Sequence, residues 1–191
     1  MELRGDTEVN GIVFNAGASA FTITPSSMFH LRISGLGITN NSGITQNFVT
    51  NGPGLRRSSM QFFNTAAAGN LTVFTSKGAI AFFDSSSAGS GTFTTTGRLD
   101  FDVTSSAGNG TFFTIGSTNE FGPAIFFSSD STAGNGTFTT TSGAVAGGTG
   151  AHTIFGGDST AGNGDLFHKR RRVQRLERGC SDSVRGRVDR W

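Results

Sequence analysis

Residues 99–112 read Leu99-Asp100-Phe101-Asp102-Val103-Thr104-Ser105-Ser106-Ala107-Gly108-Asn109-Gly110-Thr111-Phe112. The same order, an apolar segment, then Ala-Gly-Asn or Ala-Gly-Ser, then a second segment, is found at Ala68, Ala88, Ala107, Ala133 and Ala161. Successive alanines are 20, 19, 26 and 28 residues apart, and Ala16-Gly17-Ala18 is a degenerate copy 52 residues before Ala68. An internal repeat of this length indicates a fold built by stacking one small unit.

Apolar residues occupy fixed positions around each alanine. Six residues before it stand Phe62, Phe82, Phe101, Phe127 and Phe155. Five residues after it stand Val73, Phe93, Phe112, Phe138 and Leu166. Two residues before the first set stand Met60, Ile80, Leu99, Ile125 and Thr153. This period of two is typical of a strand with one buried face, so we predict that every repeat presents the same inward side chains.

The repeat predicts an all-β fold in which Ala-Gly-Asn-Gly forms a tight turn, since Gly tolerates positive φ and Asn-Gly favours turns. Stacking would pair backbones and bury Phe on Phe, which gives a β-solenoid with coils of about 19–28 residues. Residues Gly116 to Pro123 and Gly143 to Gly150 are then loops inserted between strands. An antiparallel barrel or sandwich is the competing fold, because hairpins also need frequent turns.

Composition agrees with strands and turns. Only 15% of the chain is charged, and Leu, Glu and Lys are scarce before residue 166. The chain has 19 Phe but no Tyr, so we place Phe in the core. Cys180 is the single cysteine, which excludes an internal disulfide framework. Met1 to Asp6 lacks a basic start followed by an apolar run, and no 18 apolar residues are consecutive, so we expect neither a signal peptide nor a membrane span.

Charge divides the chain near Phe167. Residues 1–167 hold six Lys/Arg and ten Asp/Glu, a net charge of −4, whereas residues 168–191 hold nine and three, a net charge of +6. We therefore predict a lead-in at residues 1–10, a solenoid at 11–167 and a disordered basic tail at 168–191. The basic run of the tail could bind nucleic acid or an anionic membrane. It is short and lacks interleaved aromatics apart from Trp191, so we do not expect nucleic-acid binding.

Three features together resemble bacterial autotransporter passenger regions, specifically their strand-repeat arrays. They are the runs Gly11 to Ile23 and Leu31 to Gly43, followed by the Phe-x5-Ala-Gly-Asn-Gly-Thr-Phe repeats. The resemblance covers about residues 8–167. It implies a right-handed parallel β-helix displayed at the cell surface or secreted, often as a stalk or adhesive surface. The sequence departs from this family because it lacks the export signal and the carboxyl-terminal membrane barrel and ends in the unlike segment His168 to Trp191. We therefore expect a fragment of a longer gene, or a reading frame altered near residue 167.

Candidate chemical sites are few. Asp100 and Asp102 would point to one outer face and could act as acid and base, but their counterparts in neighbouring repeats are not acidic. His30, His152 and His168 share no metal-ligand spacing with other residues. The turns Gly147 to Gly150 and Gly156 to Asp158 lack a calcium-binding nonapeptide repeat, and Gly35 to Gly37 and Gly52 to Gly54 lack a phosphate-loop context. We predict no catalytic residue, metal site or cofactor.

Threonines suggest another possibility. Thr92, Thr94 and Thr96 stand at the same repeat positions as Thr137, Thr139 and Thr141, as in ice-binding solenoids, but the repeat between them reads Thr111-Phe112-Phe113-Thr114-Ile115. Asn70, Asn109 and Asn135 match the glycan-acceptor pattern because the turn chemistry produces it.

The sequence therefore predicts a non-enzymatic structural or adhesive β-solenoid, with a polysaccharide-active β-helix or an ice-binding solenoid as alternatives. The expected partners are host or matrix surfaces or glycans, and further copies of the chain bound through exposed solenoid ends.

Overall fold

A computed structural model describes residues 2–3, 5–25, 28–51, 58–117, 122–143 and 148–169. Within these residues the chain forms strands joined by turns, and no helix is present. The fifteen strands are β1 (Glu2–Leu3), β2 (Thr7–Phe14), β3 (Thr22–Pro25), β4 (Leu31–Asn40), β5 (Gln46–Thr50), β6 (Ser58–Phe62), β7 (Thr72–Ser76), β8 (Ala79–Phe82), β9 (Thr92–Thr95), β10 (Arg98–Phe101), β11 (Thr111–Thr114), β12 (Ala124–Phe127), β13 (Thr137–Thr141), β14 (His152–Phe155) and β15 (Asp165–Lys169).

The strands form two parallel sheets. The odd-numbered strands make an eight-stranded sheet, the odd sheet, and the even-numbered strands make a seven-stranded sheet, the even sheet, each in chain order. Every strand pair among the described residues is parallel, which is the pairing of a β-solenoid. The competing barrel or sandwich of antiparallel hairpins is wrong, because consecutive strands lie in different sheets.

Each of the five coils from β6 onward turns two corners between its even and its odd strand. After Phe101 the chain makes a turn in which Ser105 N–H donates to Asp102 C=O. Ser106 then forms isolated parallel β-bridges with Ser87 and Thr132 of the neighbouring coils. Gly110 N–H donates to Ala107 C=O at the second corner, the Ala-Gly-Asn-Gly turn predicted from the sequence. Gly108 has a φ of 60° there, a left-handed conformation that favours glycine.

The first corner has its own column of residues with a left-handed backbone, which was not predicted from the sequence. These residues lie two positions after the inward Phe, and they are Asn64, Asp84, Val103, Ser129 and Gly157. Because only one of these is glycine, no Gly signal marks this corner in the sequence. The chain therefore reverses over two short corners rather than one.

Stacked phenylalanines form the core. In the even sheet, Phe62, Phe82, Phe101 and Phe127 are at most 1% exposed, and their rings stack in parallel at centroid distances of 4.7–4.8 Å. The odd sheet contributes a second column, which meets the first edge to face. Its members are Ile23, Phe48, Phe74, Phe93, Phe112, Phe138 and Leu166.

The prediction that Val73 belongs to this second column is wrong. Phe74 pairs with Phe93 and is fully buried, whereas Val73 pairs with Thr92 and is half-buried. The turn after Ala68 contains one more residue than the later turns, and Leu71 has a φ of 49° in it. The extra residue moves the strand by one position, which exchanges its two faces.

One coil has no Ala-Gly-Asn turn and was not recognised from the sequence. It consists of β4 and β5, and it accounts for the double period between Ala16 and Ala68. Its corner is held by side-chain amides: Asn40 Nδ2 donates to Ile44 C=O, and the buried Gln46 accepts from Phe21 N–H and donates to Ser19 C=O. Amide side chains here replace backbone hydrogen bonds that the regular turn makes.

Both sheets extend beyond residues 11–167. At the amino end, Thr7 to Val9 pair with Leu31 to Ile33, so part of the predicted lead-in belongs to β2. At the carboxyl end, His168 and Lys169 pair with Thr140 and Thr141 within β15, and the remainder of the predicted tail lies outside the described residues. The two predicted loops connect β11 to β12 and β13 to β14, and Ser117 N–H donates to Thr149 C=O between them.

Candidate interaction surface

The carboxylates of Asp100 and Asp102 have separate partners. Asp100 lies on the outer side of β10, where Arg98 Nε donates to its Oδ1 at 2.6 Å. Asp102 lies at the first corner, and its Oδ1 accepts from Val103 N–H and from Ser129 Oγ, both at 2.8 Å. The strand partners of Asp100 are Ala81 and Phe126, as the sequence comparison indicated, so the acidic residues do not continue across coils.

Arg98 connects two neighbouring coils. Its guanidinium carbon lies 4.2 Å from the ring centroid of Phe126, within the range of a cation–π contact, while its Nε binds Asp100. Burial raises the pKa of Asp100 above its usual range, and the hydrogen bond and charge of Arg98 oppose this shift. The two contacts hold Arg98 over the outer side of the even sheet.

Apolar side chains continue from this ion pair into the next two coils. Ile154 pairs with Phe126 and is 41% exposed, which places it at the same outer face in the next coil. We call Arg98, Asp100, Phe126 and Ile154 the Arg98 patch. Arg98, Phe126 and Ile154 were not predicted as site residues, because the repeat marks the inward columns. Alternation around Leu99 and Phe127 does place all three on the outer face.

A second pair of rings lies at the first corner, beside the even sheet. Phe63 and Phe83 follow the inward column by one residue, the position that Asp102 has in its coil, and their rings stack at 4.9 Å with an interplanar angle of 14°. Both are half-buried, so each ring keeps part of its surface open to solvent. The first corner thus carries ordered aromatic groups.

The outer side of the odd sheet carries threonines in rows. Thr92, Thr111 and Thr137 are consecutive partners, and their row ends at Val73 on one side and at Asp165 on the other. The neighbouring row reads Thr94, Phe113, Thr139, and Phe113 is 38% exposed within it. The structure therefore places the interruption by Phe113 on the outer face, as the sequence analysis expected.

The histidines do not converge. Asp6 Oδ1 accepts from the backbone N–H of His30 at 2.8 Å and lies 3.2 Å from His30 Nδ1, whereas His152 is exposed on β14. His168 Nδ1 lies 2.9 Å from Thr140 Oγ1. Across the described part of the chain, no three His, Cys, Asp or Glu side chains are grouped as metal ligands would be.

The remaining sequence motifs have structural positions. Gly148 to Gly150 lead into β14, Gly156 to Asp158 form a first corner, and Gly35 to Gly37 lie within β4. The turn asparagines stand at exposed corners, where Asn135 Nδ2 donates to Asn109 Oδ1 at 3.0 Å and Asn163 Nδ2 donates to Asn135 Oδ1 at 3.2 Å. Gly52 to Gly54, Gly147, Cys180 and the basic residues after Lys169 lie outside the described residues.

The chain matches no protein-family model, no curated protein and no solved structure. The described residues contain no helix of the length and hydropathy needed to cross a membrane. The case for function therefore depends on the fold and on the Arg98 patch.

Proposed function

We propose that this protein is a non-enzymatic structural or adhesive β-solenoid, secreted or displayed at the cell surface, of the kind that autotransporter passenger regions form. We also propose that it is a right-handed β-helix with coils of about 19–28 residues. Parallel crossover connections are right-handed in about 98% of cases, which supports this hand. The spacing between paired residues such as Phe82, Phe101 and Phe127 supports the coil length.

The observation that carries the adhesive function is the Arg98 patch. Its cation, carboxylate and ring are fixed by mutual contacts on a parallel sheet, so they lose little conformational freedom when a partner binds. Arg and aromatic side chains are the groups that most often contribute strongly to binding at interfaces. A surface of this kind fits glycans or the polar surfaces of matrix proteins, where hydrogen bonds and flat apolar contacts are needed together.

Binding of the purified chain to immobilised collagen, fibronectin, laminin and a glycan array tests this proposal. We expect retention on at least one surface, and we expect Arg98→Ala and Phe126→Ala each to reduce the affinity by about tenfold, the loss of one good contact. Phe113→Ala, an exposed ring on the odd sheet, is the matched control and should leave binding unchanged.

Two results would contradict the proposal. One is the release of shorter products from a glycan panel, which would make the protein an enzyme. The other is an equal loss of binding in the Phe113 control, which would show that general surface stickiness and not the Arg98 patch retains the protein.

A further inference from the structure

The carboxyl end of the solenoid exposes the columns that are buried elsewhere. Phe155 stacks on Phe127 at 4.8 Å through one face of its ring, but it is only half-buried, whereas Phe127 is 1% exposed. Ala161 is exposed, and the same position one coil earlier, Ala133, is fully buried. Among the described residues, no further coil covers this end.

The amino end has the complementary edge. Among the described strands of the even sheet, β2 pairs only with β4, so no described strand covers its other side. Val9 and Ile12 are only partly buried where they meet the core. Since all pairs are parallel, β14 of one copy and β2 of another run in the same direction when the two solenoids share an axis.

The register of the even sheet can be followed from one end to the other. The column that ends at Phe155 begins at Val9, through Phe127, Phe101, Phe82, Phe62 and Ile33. A second copy added in this register would place its Val9 on the open face of Phe155. Glu8 would then lie beside Ile154, and Asp6 beside His152.

Charge does not oppose this arrangement along the paired strands. The described residues from Gly5 to Phe14 contain Asp6 and Glu8 and no basic side chain. Strand β14 contains His152 and no carboxylate, so these two carboxylates would meet no like charge on it. The imidazole of His152 can donate a hydrogen bond to the carboxylate of Asp6.

We propose that a second copy of this chain docks head to tail, with its β2 pairing in parallel with β14. The inference does not depend on the adhesive function. Six coil spacings of about 4.8 Å make the seven described coils only about 30 Å tall, so docking copies would lengthen a short unit into a shaft.

Backbone N–H groups on the open edges give a specific test. His152 N–H donates to Pro123 C=O, and Gly156 N–H donates to Phe127 C=O. Since N–H groups alternate between the two sides of a strand in a parallel sheet, those of Thr153 and Phe155 point to the open side. Thr7 donates to His30, so Glu8 N–H points to the open side of β2. Thr153→Pro and Glu8→Pro therefore each block one edge and preserve the backbone hydrogen bonds inside the solenoid. Glu8→Pro also removes the exposed hydrogen bond that Ser34 Oγ donates to Glu8 Oε1.

The experiment measures mass by analytical ultracentrifugation of the full chain over a concentration series. We expect wild type to form multiples of 19.8 kDa, each proline variant alone to remain at 19.8 kDa, and an equimolar mixture of the two variants to form a dimer and nothing larger. Phe113→Ala should associate as wild type does. Circular dichroism checks that each variant is folded, and Ala161→Lys, which charges the exposed end without a proline, should also remain a monomer.

Several outcomes would overturn the proposal. Wild type that stays monomeric at every concentration removes it, as does association of folded Thr153→Pro to the wild-type extent. Dimers formed by Glu8→Pro alone would show pairing of two carboxyl ends instead of head-to-tail docking. Loss of association in the Phe113 control would point to lateral contact through the odd sheet.

Discussion

The ring of Phe101 lies parallel to that of Phe82, with centroids 4.8 Å apart and an interplanar angle of 4°. On its other side it stacks on Phe127 at 4.7 Å, and it meets Phe112 edge to face at 5.9 Å. Phe101 is therefore in ring contact on three sides and is 0% exposed. Its side chain joins three consecutive coils of one sheet to the opposite sheet.

Replacing Phe101 with alanine should lower the free energy of unfolding by about 3–5 kcal/mol, because it removes the ring and leaves a cavity between coils. Urea denaturation followed by circular dichroism measures the change. The matched control is Phe113→Ala, which removes an equal volume from an outer face and should cost less than about 1 kcal/mol. Similar losses in both variants would mean that the stacked column is not the main core.

The inward columns could be predicted because the Ala-Gly-Asn turn repeats at a fixed distance from them. The prediction failed at Val73, where one extra residue in the turn moves the strand by one position, and at β4 and β5, where Asn40 and Gln46 replace the turn motif. Single-residue insertions and amide-held corners leave no repeating signal in a sequence.

The Arg98 patch was harder to foresee for a different reason. Arg98 and Phe126 are 28 positions apart, and they meet only because β10 and β12 pair in one particular register across an inserted loop. Period-two alternation shows that both side chains face outward, but the register between coils decides which outward residues become neighbours.

Val103→Asn should stabilise the protein by about 1 kcal/mol. Val103 has a φ of 60°, and a β-branched residue pays about 1–2 kcal/mol in this left-handed region, whereas asparagine tolerates it, as Asn64 does at the same corner position. The comparison is Val49→Asn, on the outer side of β5, which should destabilise the sheet because asparagine is a poor strand former. Thermal unfolding of both variants distinguishes the corner from the strand, and a destabilised Val103→Asn would contradict the backbone argument.

Asp100 should make the protein less stable as the pH rises above about 4, the ordinary pKa of an aspartate. Burial raises the pKa of Asp100, so the folded state holds this proton more tightly than the unfolded state does. The stabilisation from this proton is largest below the pKa that Asp100 has in the unfolded state, and it is lost as the pH rises through the pKa that Asp100 has in the folded state. Asp100→Asn should therefore gain stability relative to wild type across that window, measured by urea denaturation at successive pH values.

Asp6 provides a control of opposite sign. The backbone N–H of His30, followed by its side chain, lowers the pKa of Asp6, so its contribution is present above the ordinary value and is lost as the pH falls through the folded one. Asp6→Asn should be less stable than wild type at neutral pH, and the difference should shrink on acidification. Parallel pH profiles for the two variants would contradict both assignments.

Ser105→Ala should stabilise the protein by about 1 kcal/mol. Ser105 is fully buried, and its Oγ has no hydrogen-bond partner among the described residues, so the hydroxyl loses its hydration on folding without a compensating bond from them. Alanine fits this column of the first corner, since Ala66 occupies it two coils earlier and is also fully buried. Guanidinium denaturation should show a higher midpoint with an unchanged dependence on denaturant.

Ser87→Ala is the matched control for this change, because it removes a hydroxyl that does have a partner. Ser87 Oγ accepts from Gly89 N–H at 3.0 Å and holds the Ala-Gly turn, so its loss should destabilise the protein by about 0.5–1.5 kcal/mol. Opposite signs for the two serines would show that hydrogen bonding, and not the size of the side chain, decides which corner positions tolerate alanine. A loss of stability in Ser105→Ala would instead mean that its hydroxyl finds a partner in solution.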